Sequence, residues 1–259
     1  MSEPLLALRD IVFGYEPGRP VLQRCSLALH RGEKIGLAGP NGSGKSTLLK
    51  IMMGLLRPQL GDRWAFGRMR RATDDDFLEV RRRVGMLFQD VDDQLFCPTV
   101  LEDVCFGPLN LGMGRAEAVR RAAAVLALVG LQGFEERVTF RLSEGEKRLV
   151  ALAGVLAMEP EALLLDEPLA GLDRDAARRV SRLIRALPLS MVIVAHDRDF
   201  LAESCDRIVE LRGGRITRSR PETRTGRDSF PAPVRPVDCF RGTASLPQAD
   251  LFRPGEEQT

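Results

Sequence analysis

The sequence has little of what metal-binding and nucleic-acid-binding proteins depend on. Only two histidines and five cysteines occur in 259 residues, and no two cysteines are spaced as C-x-x-C, so a metal cluster is not expected. The odd cysteine count favours free thiols in a reducing compartment. Basic and acidic side chains nearly balance, 38 against 36, whereas a nucleic-acid partner would require a marked basic excess.

Long hydrophobic runs are missing as well. The longest apolar stretch extends from Leu149 to Met158, and a membrane-spanning helix needs about 20 such residues. The N-terminal residues show neither a basic start nor a long apolar segment, so no signal peptide is expected. If this protein serves a membrane, other chains must cross it.

The sequence does provide the material for a large α/β core. Hydrophobic residues make up 44% and charged residues 29%, which is ordinary for a globular domain. The apolar patterns predict strands within residues 1–30 and at 35–38, 84–88, 162–165, 190–194 and 206–211. They predict helices at 45–54, from 143 onward and at 173–186, with a mainly helical stretch at about 90–145. Alternation of this kind indicates a largely parallel sheet with helices on both faces.

A glycine-rich segment separates the predicted strand 35–38 from the helix that begins at Lys45. It fits the pattern G-x-x-x-x-G-K-[ST] and consists of Gly39, Pro40, Asn41, Gly42, Ser43, Gly44, Lys45 and Ser46. Such a loop points backbone N–H groups at a phosphate chain, and the helix N-terminus adds partial positive charge. Lys45 is predicted to contact the β- and γ-phosphates and Ser46 to hold Mg²⁺. The sequence therefore predicts a nucleoside-triphosphate site.

Two adjacent carboxylates follow the apolar strand 162–165. Asp166 and Glu167 would lie beside the phosphates, because parallel strands present their carboxyl ends at one edge of a sheet. Asp166 is predicted to hold the magnesium shell. Glu167 is predicted to accept a proton from the attacking water. A turn or a helix cap remains the alternative interpretation of this pair.

Residues 4–216 resemble the ABC ATPase family. The segment Leu142-Ser143-Glu144-Gly145-Glu146 is similar to the family signature, whose usual form is L-S-G-G-Q. The other matching positions are Tyr15, Gln89, the D-loop Ala170-Gly171-Leu172-Asp173 and His196, which follows the strand 190–194. The resemblance implies a P-loop NTPase of the ABC ATPase type, with a mostly parallel sheet, an N-terminal antiparallel β subdomain and a helical signature subdomain.

The resemblance also implies a role for each matching residue. Tyr15 would stack on adenine, and the phosphate loop through Thr47 would bind ATP. Gln89 would contribute to the magnesium site and to catalysis, and His196 would act as the switch histidine. Ser143, Gly145 and Asp173 would belong to the site shared with a second subunit, whose ATP they approach. Two such subunits would close around two ATP molecules.

The signature departs from the family form at two positions. Glu144 replaces a glycine and Glu146 replaces a glutamine, whereas Ser143 and Gly145 are retained. Two extra carboxylates near a polyphosphate would weaken nucleotide-driven closure unless they point away from it. Ser143 and Glu146 also fit an S-x-x-E capping box, which is a purely structural alternative.

The segment from Phe88 to Leu111 resembles the energy-coupling-factor importers, and most of all their cobalt and nickel branch. The resemblance implies a transmembrane coupling protein, a substrate-binding membrane protein and a peripheral place on the cytoplasmic face of the membrane. Asp90, Asp92 and Asp93 would offer carboxylates to arginines of the coupling protein, unless they form a solvated loop. A homodimer and a heterodimer with a second ABC ATPase both remain open. The alternative function is a soluble ABC ATPase outside transport.

Composition divides the chain into two parts. Residues 1–217 are predicted to form the ABC ATPase domain, with its helical subdomain at about 90–150. Residues 218–259 are rich in proline and arginine and are predicted to be mostly irregular. The arginines at 68–71 and 81–83 are predicted to form solvated faces rather than binding sites.

Overall fold

The structure, a computed structural model, describes residues 3–71 and 74–218. The strands are β1 Leu6–Phe13, β2 Leu22–Leu29, β3 Lys34–Ala38, β4 Leu60–Ala65, β5 Arg68–Arg70, β6 Val84–Leu87, β7 Ala162–Asp166, β8 Ser190–Val194, β9 Arg207–Arg212 and β10 Arg215–Arg218. The helices are α1 Lys45–Met52, α2 Asp74–Arg83, α3 Val100–Asn110, α4 Arg115–Val129, α5 Glu144–Ala157, α6 Arg174–Ala186 and α7 Arg198–Ser204, with a short 3-10 helix at Thr139–Arg141. The tail that was predicted to be irregular lies outside the described residues from position 219 onward.

A six-stranded sheet in the order β10-β9-β3-β8-β7-β6 forms the centre of the fold. The strands from β9 to β6 pair in parallel, and β10 joins the edge antiparallel to β9. The mostly parallel sheet expected from the sequence is therefore confirmed. Its carboxyl edge collects the loops that follow β3, β6, β7 and β8.

Side chains of the central strands alternate between two cores. In β7, Leu163 and Leu165 face a core built with α3, α4, α5, α6 and α7, while Leu164 faces the opposite core with α1 and α2. Burial of both faces explains why these strands are continuous apolar runs. Helices thus cover both sides of the sheet, as predicted.

A second, four-stranded sheet in the order β2-β1-β4-β5 shares the core of α1 and α2. Its pairs are antiparallel, which confirms the antiparallel N-terminal subdomain. The sequence patterns predict no strand or helix between residues 54 and 84, whereas the structure has β4, β5 and α2 there.

The arginines at 68–71 and 81–83 are not all solvated, so that prediction was wrong in part. Arg70 is buried, where it donates to the carbonyl of Ala65 and, at 2.6 Å, to the carboxylate of Glu79. Arg83 bonds the same carboxylate and, also at 2.6 Å, Glu161. These charges connect the antiparallel sheet to α2 and to the loop before β7.

The stretch predicted to be helical contains α3, α4 and the start of α5. Helix α3 begins at Thr99, whose hydroxyl accepts from the backbone of Glu102 while the Glu102 carboxylate accepts from the backbone of Thr99. Helices α3, α4 and α5 share one core, which joins them to the sheet. Within residues 3–71 and 74–218, no helix combines the length and apolar character that crossing a bilayer requires.

Candidate nucleotide-binding site

The glycine-rich segment forms the turn between β3 and α1, as the sequence predicts. Gly44 caps α1 with a φ of 101°, a conformation that disfavours residues with a Cβ. A Cβ at this position would also lie 2.8 Å from Cγ1 of Val21. The Nζ atom of Lys45 folds back over the loop and donates to the carbonyls of Gly39 and Pro40, at 2.9 and 3.1 Å. The loop thus places a buried ammonium group at the helix N-terminus, where a phosphate chain is most stabilised.

A cavity of about 620 Å³ lies over this loop and is large enough for a nucleotide. Most of the predicted site residues line it, namely Tyr15, Asn41, Gly42, Gly44, Lys45, Ser46, Thr47, Gln89, Asp166, Glu167 and His196. Gly39, Pro40 and Ser43 belong to the loop beneath, and they do not line the cavity. Ser143, Gly145 and Asp173 lie outside it as well.

Tyr15 stands at one end of the cavity. Its side chain is 64% exposed, packs edge-on against Phe13 and bonds the hydroxyl of Thr47 at 3.1 Å through its own hydroxyl. The ring is therefore held in place and remains largely exposed, which suits it to stack on a base.

Asp166 and Glu167 extend from the end of β7 into the cavity. Asp166 is only 2% exposed, and burial raises the pKa of its carboxyl group, opposed by the nearby Ser46 hydroxyl and by Lys45. Burial likewise raises the pKa of Glu167, and His196 opposes the shift. A carboxylate with a raised pKa is a better proton acceptor, which suits Glu167 to act as a general base.

The side chains around Asp166 fit a magnesium ion. Its Oδ1 atom is buried and has no hydrogen-bond partner within the described part of the chain, and a buried, unpaired carboxylate oxygen is unfavourable unless something binds it. The hydroxyl of Ser46 and the amide of Gln89 line the same cavity. Oxygen ligands of this kind, together with phosphate oxygens, are those that Mg²⁺ prefers.

The signature segment lies at the start of α5. The hydroxyl of Ser143 caps the helix, and the carboxylate of Glu146 accepts from both the backbone N–H and the hydroxyl of Ser143, each at 2.8 Å. Arg137 lies 3.4 Å from the other carboxylate oxygen. The capping box expected from the sequence is present, and it turns the extra charge of Glu146 back onto the helix.

Gly145 lies against the D-loop of its own subunit. A Cβ at this position would lie 2.8 Å from the carbonyl oxygen of Gly171, so only glycine allows this contact between the signature helix and the D-loop. Asp173 ends the same loop as the N-cap of α6 and accepts from the backbone of Asp175 and Ala176. These bonds keep the pKa of Asp173 below its ordinary value.

Four of the residues that line the cavity were not among the predicted site residues, namely Val21, Glu144, Arg148 and Ala170. Glu144 lines the cavity with a largely exposed side chain, and Arg148, which is 3% exposed, lines it from α5. No signal in the sequence distinguishes Arg148 from an arginine on the exposed face of a helix.

The acidic segment, defined as Asp90, Asp92 and Asp93, borders a neighbouring cavity. Asp92 already bonds Lys147 at 2.6 Å, and Asp90 accepts from the backbone of Asp92. Asp93 is exposed. Beyond the segment, Phe96 and Phe106 pack edge-on and both remain exposed. Asp93 and the two rings together form a surface with acidic and aromatic character.

The family model described as ABC transporter matches residues 22–170. The chain belongs to this family. It is an ABC ATPase, and it binds and hydrolyses ATP as members of the family do.

Two relatives have more specific names. The energy-coupling factor transporter ATP-binding protein EcfA of Methanothermobacter thermautotrophicus is 39% identical over 96% of this chain and 77% of its own length. The cobalt import ATP-binding protein CbiO of Rhodobacter capsulatus is 44% identical over 82% of this chain and 77% of its own. These names confirm the resemblance to energy-coupling-factor ATPases.

Two solved structures share the fold. CbiO1 of Clostridium perfringens, described as part of the ABC transporter complex cbiONQ, has 32% identity and a TM-score of 0.73, over 83% of this chain and 88% of that one. An ATP-binding cassette solved as a dimer in a post-hydrolysis state with ADP and Pi has 27% identity and a TM-score of 0.78, over 84% of this chain and 99% of that one.

Proposed function

We propose that this chain is one of two ATPase subunits that close around two ATP molecules to power the import of a cobalt or nickel ion through separate membrane subunits. The observation that carries the proposal is the single cavity in which Tyr15, Lys45, Ser46, Glu167 and His196 meet. It provides an aromatic ring for stacking, a phosphate-binding loop and a partly buried base within reach of one nucleotide.

The residues of the cavity divide the chemistry among them. Lys45 binds the β- and γ-phosphates once its ammonium exchanges the loop carbonyls for phosphate oxygens. Glu167 takes the proton of the attacking water, and His196, with Nε2 at 3.4 Å from Oε1 of Glu167, orients that carboxylate. Catalysis of this reaction is mostly positioning and electrostatic stabilisation.

Asp166 and Ser46 would hold magnesium, with Gln89 completing the site. The bound ion would supply positive charge that stabilises the negative charge developing on the phosphate oxygens. The Oδ1 atom of Asp166, which is buried and has no hydrogen-bond partner in the described part of the chain, supports that role.

The positions of Ser143 and Gly145 support a site that is completed by a second subunit. Ser143 and Gly145 do not line the cavity of their own chain, which agrees with a role at the γ-phosphate held by a partner. The related cassette solved as a dimer with ADP and Pi supports the same arrangement.

The surface formed by Asp93, Phe96 and Phe106 supports a membrane partner. An exposed carboxylate beside two exposed aromatic rings suits a helix that presents arginine and apolar side chains. We assign this surface to the transmembrane coupling protein, which would hold the chain at the cytoplasmic face of the membrane. The names of the relatives, energy-coupling factor and cobalt import, favour this assembly.

The test is purification of the tagged, full-length chain from detergent after co-expression with its candidate membrane subunits. The expected result is a complex that takes up cobalt or nickel into ATP-loaded vesicles. Lys45→Ala should abolish both ATP binding and uptake, whereas Arg182→Ala, on the exposed side of α6, should change neither. A chain that hydrolyses ATP but never recovers a membrane protein would instead support a soluble ABC ATPase.

A further inference from the structure

Arg148 connects the signature helix to two loops of the nucleotide site in its own subunit. Its Nη1 atom donates to the carbonyl of Glu167 at 3.0 Å, and its Nη2 atom donates to the carbonyl of Gln89 at 2.9 Å. The side chain is buried, and buried arginines are rare unless their charge is paired or hydrogen-bonded. One guanidinium group therefore holds together the residue proposed as the base and the residue proposed beside the magnesium ion.

The backbone of Glu167 shows why such a support is needed. Its φ is 53°, in the left-handed region that residues with a Cβ rarely adopt. A conformation of this kind persists only when the surroundings hold it. Its N–H donates to Val194 at 3.0 Å, and its carbonyl accepts from Ala170 at 3.1 Å and from Arg148. Arg148 supplies the only one of these bonds that comes from a side chain.

The charge of Arg148 also belongs to the site. Its guanidinium group lies among Glu144, Glu167, Asp166 and Asp90, and its Nη2 is 4.0 Å from Oε1 of Glu144. A lysine has one compact ammonium group, whereas the planar fork of arginine bonds two separate carbonyls at fixed angles. The geometry therefore requires arginine and not merely a cation.

We propose that Arg148 is a positioning residue that holds the left-handed backbone of Glu167 and ties it to the Gln89 loop and to the signature helix. This rests on the proposed function, in which Glu167 is the base. Since Ser143 caps the same helix, movement of the signature toward a partner's nucleotide would be transmitted through Arg148 to the base of its own site. The two ATP sites of a dimer would thus be mechanically connected.

The test compares Arg148→Lys and Arg148→Met in the full-length chain, by single-turnover hydrolysis and equilibrium ATP binding. Loss of both carbonyl bonds in Arg148→Met should lower the rate by roughly 10²-fold, and Arg148→Lys, which keeps one bond, by about 10-fold. The ATP Kd of Arg148→Lys, which keeps the positive charge, should stay at the wild-type value, because neither carbonyl bond is made to nucleotide. Arg182→Lys, on exposed α6, controls for the exchange of arginine for lysine.

A structural role and a positioning role of Arg148 predict different hydrolysis rates in the Glu167→Gln background. If Arg148 acts through Glu167, adding Arg148→Lys to Glu167→Gln should cause no further loss of rate. The proposal would be overturned, and Arg148 assigned to structure alone, by any of three results. These are a double variant whose loss of rate is the product of the two single losses, a raised ATP Kd in Arg148→Lys, or failure of both Arg148 variants to fold. Wild-type hydrolysis and its loss in Lys45→Ala, measured alongside, test the proposed function separately.

Discussion

The Nε2 atom of His196 lies 3.4 Å from the Oε1 atom of Glu167. These two atoms arrive from neighbouring strands, since β7 delivers Glu167 and β8 leads to His196. The carboxylate is half-enclosed by the cavity, while the imidazole remains more exposed. Parallel pairing of β7 with β8 therefore brings the proposed base and its partner together without any further loop.

The first prediction concerns the acidic side of the pH–rate profile. Burial raises the pKa of Glu167, and only the carboxylate accepts a proton. The rate should therefore fall as the pH drops through a value above that of an ordinary glutamate. Glu167→Gln should bind Mg-ATP normally, hydrolyse it about 10²- to 10⁴-fold more slowly and lose this acidic limb. A limb that persists in Glu167→Gln would assign it to another group.

The second prediction concerns closure of two subunits. Ser143→Arg places a bulky cation where a partner's γ-phosphate must arrive, so each monomer should bind ATP while dimers fail to form. Size-exclusion chromatography with ATP, in the Glu167→Gln background that retains nucleotide, measures this. Ser143→Ala is the matched control, because it loses the same helix cap, about 1 kcal/mol, without the bulk. Equal dimerisation of both variants would contradict the role of the signature.

The third prediction concerns Tyr15. Tyr15→Ala should weaken ATP binding by about 1–3 kcal/mol, the range for an aromatic ring stacked on a base, and Tyr15→Trp should largely retain it. Tyr15→Phe keeps the ring but loses the hydroxyl bond to Thr47, so it separates stacking from positioning. Titration with a fluorescent ATP analogue provides the comparison. Wild-type affinity in Tyr15→Ala would leave Tyr15 as an ordinary strand-end residue.

The fourth prediction concerns the membrane partner. Asp93→Lys should leave ATP binding intact and prevent recovery of the transmembrane protein in a pull-down, because it reverses an exposed charge. Asp92→Lys is a less informative change, because it removes the bond between Asp92 and Lys147 and also places two like charges side by side. Asp62→Lys, on the exposed side of β4, controls for charge reversal. Full recovery of the complex with Asp93→Lys would exclude this surface as the docking site.

The fifth prediction concerns stability. Burial raises the pKa of Asp103 to about 6, although the backbone of Phe96 and Cys97 donates to its carboxylate. The folded chain therefore keeps a proton that the unfolded chain releases near pH 4. The free energy of unfolding should therefore fall by about 3 kcal/mol in all as the pH rises from well below 4 to well above 6. Urea titrations should show a flatter dependence for Asp103→Asn than for Asp62→Asn.

The parts of the site that could be predicted are those that a short segment specifies. The phosphate loop depends on local backbone geometry, and Asp166, Glu167 and His196 follow apolar strands that are buried on both faces. Parallel pairing then brings these strand ends to one edge. Each prediction needed only a strand and the residues directly after it.

The parts that could not be predicted depend on distant segments. Arg148 has the sequence context of a helix surface, and only the meeting of α5 with the loops after β6 and β7 buries it. The charge of Arg70 is likewise matched by Glu79 on another element. Strands β4 and β5 are short and polar, so the pairing of β4 with β1 and of β5 with β4, rather than their own pattern, produces them.

The capping box at Ser143 has a consequence for how this signature can evolve. A glutamate and a glutamine at the third helical position both complete such a box, so replacement of the usual glutamine by Glu146 keeps the cap of α5. The glutamate also places a negative charge in the first turn of the helix, 3.4 Å from Arg137. The signature can therefore change at this position without loss of the helix that carries Ser143.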